Sequence, residues 1–217
     1  MNKGLLDKPH EILDFTSGKK ANKSDLCKEF GLDGSLPLFV FIGRLVQEKG
    51  ADLFPAVLYK SLLKKDCSLF ILGAGKDSIE SELKSLRFHF KNNYASVVCF
   101  DEALAHRLYA AADFLLMPSR VEPCGLNQMY ALRYGTIPIV RRTGGLNDSV
   151  IDIGDDGFGI CHLEASVKDI CDSMLRAKEL YHDKKELKRI IKKCMRIDHS
   201  WDKSAQEYLT LYKSLTP

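Results

Sequence analysis

Residues 117–135, MPSRVEPCGLNQMYALRYG, give the clearest indication of how this chain folds. The segment continues an apolar run, residues 114–117, that is typical of a buried strand. A loop bounded by two prolines follows at residues 118–123 and carries Arg120 and Glu122. In open parallel sheets, ligands bind in the crevice at the carboxyl ends of the strands, so this loop is predicted to line a ligand site.

A helix is predicted to follow this loop, beginning near Cys124 or Gly125. The first backbone N–H groups of a helix, here at Gly125, Leu126 and Asn127, have no partner inside the helix. They favour negative charge, so a phosphate group is a reasonable ligand at this position.

Strand-like and helix-like segments alternate along the chain, which predicts βαβ units and a parallel sheet of the Rossmann-like class with helices on both faces. The other predicted strands are 38–42, 68–72, 96–100 and 136–140, and Pro138 predicts that the last is short or interrupted. The predicted helices are 23–30, 52–64, 78–90, 102–112, 166–181, 184–195 and 201–215. We therefore divide the chain into a polar lead-in with a short helix (1–36), the α/β domain (37–200) and a final helix (201–217).

Composition narrows the class of protein. The chain has 217 residues, of which 45% are apolar and 28% charged, as in ordinary globular proteins. A net charge of +3 gives no argument for nucleic acid or membrane partners. Seven cysteines without CxxC pairs favour reduced thiols in a cytoplasmic protein, and no zinc-binding pattern is present in the sequence. The sequence has no apolar run of membrane-spanning length and no signal-peptide core near its start.

Two cations, Arg44 and Lys49, occur in the loop predicted to follow the first strand. Such a loop could place both over one diphosphate, where arginine binds two oxygens and lysine acts as a movable point charge. The alternative is that both are solvated surface charges. Because no cluster of metal ligands is evident, side-chain cations would have to balance the phosphate charge.

Residues 118–150, PSRVEPCGLNQMYALRYGTIPIVRRTGGLNDSV, closely resemble the carboxyl-terminal half of bacterial glycogen synthases and plant starch synthases. Residues 18–32, GKKANKSDLCKEFGL, resemble the segment that joins the two domains of those enzymes. The resemblance implies one half of a GT-B type enzyme, a retaining and metal-independent glucosyltransferase without a cofactor. It also implies that the final helix, 201–217, crosses back to an amino-terminal domain.

The resemblance further implies the reaction and its location. Glucose would pass from ADP-glucose to the non-reducing end of an α-1,4-glucan, and this chain would be the donor-binding half, inactive without its amino-terminal partner domain. The location would be cytoplasmic, or plastid in a plant.

The resemblance assigns roles to residues of the two loops. Arg44 and Lys49 would grip the diphosphate of the donor and stabilise the departing nucleotide. Glu122 would contact the hydroxyls of the glucose and help to stabilise the cationic sugar. Many enzymes of this architecture have a second glutamate that binds ribose, where this chain has Tyr130, as is usual in glycogen synthases; the ribose contact is therefore unassigned.

Other positions keep two interpretations. Phe100 matches an aromatic position near the donor base and is either a stacking platform or an ordinary core residue. The segment Thr143-Gly-Gly-Leu is either a close approach to substrate or partner domain, or a turn that leads into a helix. Cys124 is interpreted as a small packing residue within the donor site, and Gly73-Ala-Gly75 as a tight turn.

Two alternative functions remain open at this point. One is a related retaining glycosyltransferase with another donor or acceptor. The other is a non-catalytic module that binds nucleotide or glycan.

Overall fold

The computed structural model describes residues 15–215. Residues 1–14 of the predicted lead-in and residues 216–217 lie outside this range. The described chain forms one parallel sheet with helices packed on both faces, which confirms the predicted fold class. Its strands are β1 (Leu38–Ile42), β2 (Ser68–Leu72), β3 (Tyr94–Val97), β4 (Phe114–Met117), β5 (Ile137–Arg141) and β6 (Ile160–His162).

The helices fill the connections between the strands and the carboxyl-terminal tail. They are α1 (Phe15–Phe30), α2 (Phe54–Leu62), α3 (Asp77–Leu86), α4 (Glu102–Ala111), α5 (Asn127–Arg133), α6 (Gly144–Ser149), α7 (Val167–His182), α8 (Lys184–Arg196) and α9 (Trp201–Leu215). Short 3₁₀ turns at Gln47–Lys49 and Ala51–Leu53 precede α2, which is therefore shorter than the predicted helix 52–64.

The strand order is β3-β2-β1-β4-β5-β6, and every neighbouring pair is parallel. After β3 the chain returns to the middle of the sheet and places β4 beside β1. This reversal of strand order is the topological switch point at which doubly wound folds bind ligands. The loops that leave β1 and β4 therefore define the place where a site is expected.

Aromatic side chains fill the core on both sides of this switch point. The rings of Phe39 on β1 and Phe114 on β4 are stacked with their centroids 5.1 Å apart. Phe41 packs edge-on against Phe54 of α2 at 4.8 Å. All four residues are buried, and strands covered on both faces need such continuous apolar runs. Packing therefore holds β1 and β4 side by side and anchors β1 to α2.

Three predictions about the strands need correction. The third strand is Tyr94–Val97 rather than 96–100. The fifth strand is continuous, since Pro138 pairs with Leu115 of β4 and pairing with β6 begins only at the next residue, Ile139. β6 was not predicted, because a strand of three residues is too short to give a recognisable pattern.

The first helix is twice as long as predicted, starting at Phe15 instead of residue 23. Gly18, a poor helix former, concealed its first turns in the sequence. Leu26 and Cys27 of α1 are buried, and Phe30 packs edge-on against Phe70 of β2 at 4.8 Å. The helix thus covers part of the sheet. It ends at Phe30, the last residue of the predicted helix, and Gly31 follows with a φ of 68°.

Two lysines of α1 attach it to the amino-terminal edge of the sheet. Lys23 Nζ lies 2.6 Å from Asp113 Oδ2, and the same oxygen accepts a hydrogen bond from the Leu38 N–H at 2.8 Å. Lys19 Nζ donates to Thr136 Oγ1 at 2.7 Å, and burial lowers the pKa of Lys19 to about 8. Burial also opposes the charge of Lys23, but Asp113 outweighs it and raises the pKa of Lys23. The two lysines therefore respond to their surroundings in opposite directions.

The final helix, α9, has the predicted bounds. Within the described part of the chain none of its residues is buried, and Trp201 at its start is 88% exposed. Its apolar side chains are therefore presented to solvent.

Candidate functional site

The candidate site lies between the two loops that leave β1 and β4 at the switch point. The first loop, 43–53, contains the two 3₁₀ turns, and the second, 118–126, leads into α5. A Cβ added to Gly50 would lie 2.5 Å from the Pro118 carbonyl oxygen, so the loops approach each other more closely than a side chain would allow. Gly50 has a φ of 72°, a backbone conformation that favours glycine.

The central contact of the site joins Lys49 to Glu122. Lys49 Nζ lies 2.6 Å from Glu122 Oε2, and Ser119 Oγ donates a hydrogen bond to the same oxygen at 3.1 Å. The two side chains are 20% and 10% exposed, so the pair is partly shielded but reaches solvent. The sequence brought both residues to this site, but their direct pairing across 73 positions was not predicted.

Arg120 connects the two loops instead of facing a ligand with a free guanidinium. Its Nη1 and Nη2 donate to the two carboxylate oxygens of Asp52 at 2.6 and 3.0 Å, and Nη1 also reaches the Gln47 carbonyl at 2.6 Å. The backbone N–H groups of Arg120 and Val121 both donate to the Glu48 carbonyl, at 2.7 and 3.2 Å. These bonds fix the loop of Lys49 against the loop of Glu122.

The segment Thr143-Gly-Gly-Leu packs against the backbone of the second loop. A Cβ at Gly144 would lie 2.2 Å from the Glu122 carbonyl oxygen, and one at Gly145 would lie 2.3 Å from that of Cys124. The Gly145 N–H donates to the carbonyls of Glu122 and Pro123, both at 3.1 Å. The glycines therefore permit a close approach to the loop of Glu122, while the approach to substrate or partner domain stays a prediction. The interpretation as a turn that leads into a helix is confirmed, since Thr143 directly precedes α6.

The glycines of 73–75 act in a similar way beside the first loop. A Cβ at Gly73 would lie 1.8 Å from the Gly43 oxygen, and one at Gly75 would lie 2.4 Å from the Leu45 oxygen. The predicted tight turn thus also packs directly on the backbone that precedes Lys49.

Arg44 and Phe100 are the exposed members of the predicted site. Arg44 lies two residues after β1, and within residues 15–215 its guanidinium has no hydrogen-bond or ion-pair partner, so it is available to an anion. Phe100 is 91% exposed, so its interpretation as an ordinary core residue is wrong. It follows β3 by three residues and lies at the same edge of the sheet as the two loops.

Helix α5 begins at Asn127, two or three residues later than predicted. Gly125 has a φ of 77°, which turns the chain before the helix, and Cys124 and Leu126 are exposed in this turn, so the interpretation of Cys124 as a packing residue is wrong. The predicted free N–H groups at Gly125 and Leu126 therefore belong to a loop. Asn127 is held at the crevice, since its Nδ2 donates to the Ile42 carbonyl at the end of β1 at 2.6 Å.

Tyr130 lies one turn into α5 and is 46% exposed. Its ring packs against His106 and Tyr109 of α4, with both centroid distances 5.8 Å. Burial raises the pKa of Tyr109. These contacts fix the orientation of Tyr130 and leave one part of its ring open to the solvent.

The side chains of this site indicate which kind of ligand it can bind. An exposed arginine, a partly shielded lysine and a carboxylate with one open oxygen suit a ligand that carries both phosphate and hydroxyl groups. Within residues 15–215, no three His, Cys, Asp or Glu side chains are grouped so that they could hold a metal ion. No helix in that range combines the length and apolar character needed to cross a membrane.

The parallel sheet, its switch point and the pair of facing loops define the class of Rossmann-like α/β domains. Residues 22–195 match the family described as glycosyl transferases group 1, and the chain belongs to this family. It is therefore a glycosyltransferase domain, as the resemblance predicted.

Relatives place the chain more closely within that family. It is 54% identical over 205 residues to a glycogen synthase of Flavobacterium johnsoniae, covering 94% of this chain and 43% of that protein. A glycogen synthase of Rhodospirillum rubrum is 44% identical over 211 residues, covering 95% of this chain and 43% of the relative. The predicted resemblance to glycogen and starch synthases is confirmed.

A solved structure supports the same placement. The catalytic domain of starch synthase IV from Arabidopsis thaliana, bound to ADP and acarbose, superposes with a TM-score of 0.84. It is 38% identical and is matched over 94% of this chain and 43% of its own. This chain thus spans less than half the length of these three relatives, which corresponds to one half of a GT-B enzyme.

Proposed function

We propose that this chain is the donor-binding half of a glycogen or starch synthase. The complete enzyme would transfer glucose from ADP-glucose to the non-reducing end of an α-1,4-glucan and retain the anomeric configuration. Glycogen synthases at 54% and 44% identity and a starch synthase that binds ADP support this assignment. The observation that carries it is the 2.6 Å contact between Lys49 and Glu122 inside the switch-point crevice.

The diphosphate of the donor would bind to Arg44 and Lys49. Arg44 is exposed without a side-chain partner in the described range, so it can bind phosphate oxygens without first breaking an ion pair. Lys49 has three N–H donors on a flexible side chain, so it can turn from Glu122 towards a phosphate. Both cations would stabilise the charge that develops on the departing nucleotide, without a metal ion.

The glucose of the donor would lie next to Glu122. Its carboxylate can accept hydrogen bonds from sugar hydroxyls and can stabilise positive charge on the ring as the bond to the nucleotide breaks. Phe100, exposed at the same edge of the sheet, would offer an aromatic surface for the base. Cys124, Gly125, Leu126, Asn127 and Tyr130 would complete the wall of the site along the start of α5.

The glucan acceptor would be bound mainly by an amino-terminal domain of the same enzyme. Closure of two such domains would exclude water and complete the catalytic site. The isolated chain is therefore expected to bind the donor weakly and to show no elongation of glucan. We place the enzyme in the cytoplasm, in keeping with seven free thiols.

Calorimetry with ADP tests the phosphate assignment. Replacing both Arg44 and Lys49 by alanine should weaken ADP binding by about 100-fold or more, from about 1.5 kcal/mol for each lost charge-assisted contact. A matched control replaces Arg87 and Lys60, one exposed arginine and one exposed lysine on other elements, and should bind ADP like the unmodified chain. Unchanged ADP binding by the first variant would refute the assignment.

Adding the amino-terminal domain of a relative tests whether this chain is only the donor-binding half. The 217-residue chain alone should not extend a glucan primer with ADP-glucose, whereas the chain together with the amino-terminal domain of a relative should do so. Elongation by the chain alone would contradict the proposal that it is only the donor-binding half.

A further inference from the structure

The carboxylate of Glu122 is held unequally at its two oxygens. Oε2 receives both Lys49 Nζ at 2.6 Å and Ser119 Oγ at 3.1 Å. Oε1 has no hydrogen-bond partner within residues 15–215, and it is not one of the buried unpaired atoms in that range, so it is open to solvent. The side chain therefore has one anchored oxygen and one available oxygen.

We propose that Ser119 is a positioning residue that fixes the Glu122 carboxylate so that Oε1 accepts a hydroxyl of the donor's glucose. This inference rests on the proposed function, since it concerns the sugar end of the same site. Ser119 does not touch the sugar; it determines which oxygen of Glu122 does.

Ser119 has the rigidity that a positioning residue needs. It is only 2% exposed, and its carbonyl accepts a hydrogen bond from Arg141 Nη1 at 3.5 Å. The same guanidinium donates to the Arg120 carbonyl at 3.0 Å and, through Nε, to the Leu163 carbonyl at 2.9 Å. Beside it, the Pro118 carbonyl packs directly against Gly50. The hydroxyl therefore acts from a fixed backbone.

Lys49 alone cannot keep Glu122 in place during donor binding. A lysine ammonium is a mobile charge on a flexible chain, and a bound diphosphate would compete with Glu122 for it. Ser119 has one O–H donor, which it gives to Oε2, and it has no such competing ligand. The serine bond is thus the part of the arrangement that persists when phosphate arrives.

The test compares ADP with ADP-glucose by calorimetry on the 217-residue chain. Ser119→Ala should weaken ADP-glucose binding by about tenfold while ADP binding stays within about twofold, because only the sugar contact depends on the orientation of Glu122. Ser119→Thr keeps a hydroxyl and should retain most of the affinity for ADP-glucose. Ser68→Ala is the control, since it removes a buried hydroxyl without a partner at the opposite edge of the sheet.

If Ser119→Ala does not fold, Ser119→Cys replaces it in every comparison, because a thiol is close to a hydroxyl in size but is only a weak donor. Glu122→Gln adds a second, independent test. In Glu122→Gln, Lys49 and Ser119 both still donate a hydrogen bond at the former Oε2 position, so the amide oxygen must lie there. The NH₂ group then takes the open position of Oε1. This variant should lose affinity for ADP-glucose but not for ADP. In a double-mutant cycle, Ser119→Ala should then cost much less in the Glu122→Gln background than in the unmodified chain.

The outcomes separate the inference from the function it rests on. If the unmodified chain binds neither ADP nor ADP-glucose, the proposed function fails. If it binds both, and Ser119→Ala weakens the two ligands equally or adds its full effect to Glu122→Gln, the positioning role of Ser119 is refuted and the donor site stands.

Discussion

Gly145→Ala tests how the Thr143-Gly-Gly-Leu segment supports the site. The new Cβ would lie 2.3 Å from the Cys124 carbonyl oxygen, 2.6 Å from its Cα and 2.8 Å from its carbonyl carbon. These atoms are backbone, so no side-chain rotation can relieve the contact. To reach an ordinary van der Waals separation, α6 and the loop must move apart by about 1 Å.

The expected loss of stability follows from the hydrogen bonds that this displacement breaks. The Gly145 N–H donates to the carbonyls of Glu122 and Pro123 at 3.1 Å, and a shift of about 1 Å would remove both bonds. Together with the strain of overpacking, we expect a loss of about 2–4 kcal/mol in the free energy of unfolding. Because Glu122 would move with its loop, ADP-glucose affinity should fall by more than about tenfold.

Urea unfolding followed by circular dichroism measures the loss of stability. Calorimetry without urea measures the loss of ADP-glucose affinity. Gly18→Ala is the matched control, because its Cβ would meet nothing within 4 Å and alanine favours the helix α1, raising stability by up to about 1 kcal/mol. If Gly145→Ala unfolds at the same urea concentration as the unmodified chain and binds ADP-glucose equally well, the supporting role of this segment is wrong.

Three further predictions concern other parts of the fold. Arg120→Ala removes the two hydrogen bonds to Asp52. Calorimetry should show ADP-glucose affinity about tenfold lower, and urea unfolding a loss of stability of about 1–3 kcal/mol. Equal affinity would show that the two loops keep their positions without Arg120. Phe100→Ala should change the free energy of unfolding by less than about 0.5 kcal/mol, because the side chain is exposed. It should weaken ADP binding by about tenfold if the base stacks on this ring, and unchanged ADP binding would exclude stacking. Since burial lowers the pKa of Lys19 to about 8, its folded form binds fewer protons than the unfolded form between about pH 8 and 10.5, so stability should rise with pH across this window. Relative to Lys19→Met, the unmodified chain should therefore gain stability from pH 7.5 to 10 in urea titrations, and a constant difference would contradict the shifted pKa.

The sequence was sufficient to predict the parts of the fold that depend on local pattern. The apolar runs 38–42, 68–72 and 114–117 became strands with those bounds, because a strand buried on both faces needs a continuous apolar segment. The helix 201–215 was also predicted correctly. The resemblance at 118–150 added the family, which periodicity alone could not give.

The remainder depends on contacts between distant segments, which no local pattern contains. The pairing of Lys49 with Glu122 and the use of Arg120 to join two loops arise only when β4 lies beside β1. The positive φ of Gly125, which delays the start of α5, and the exposure of Phe100 likewise follow from the three-dimensional arrangement.

Thermal unfolding of the 217-residue chain in the presence of ADP, UDP, GDP and their glucose conjugates is the decisive test of the donor site. A ligand that binds only the folded chain stabilises it by about 1.4 kcal/mol at ten times its dissociation constant, which is a measurable rise in midpoint. If Arg44 and Lys49 bind the diphosphate of the donor, ADP and ADP-glucose raise the midpoint, and Arg44→Ala with Lys49→Ala abolishes the rise. A midpoint that no nucleotide changes, or one that the double variant leaves equally raised, would contradict this assignment.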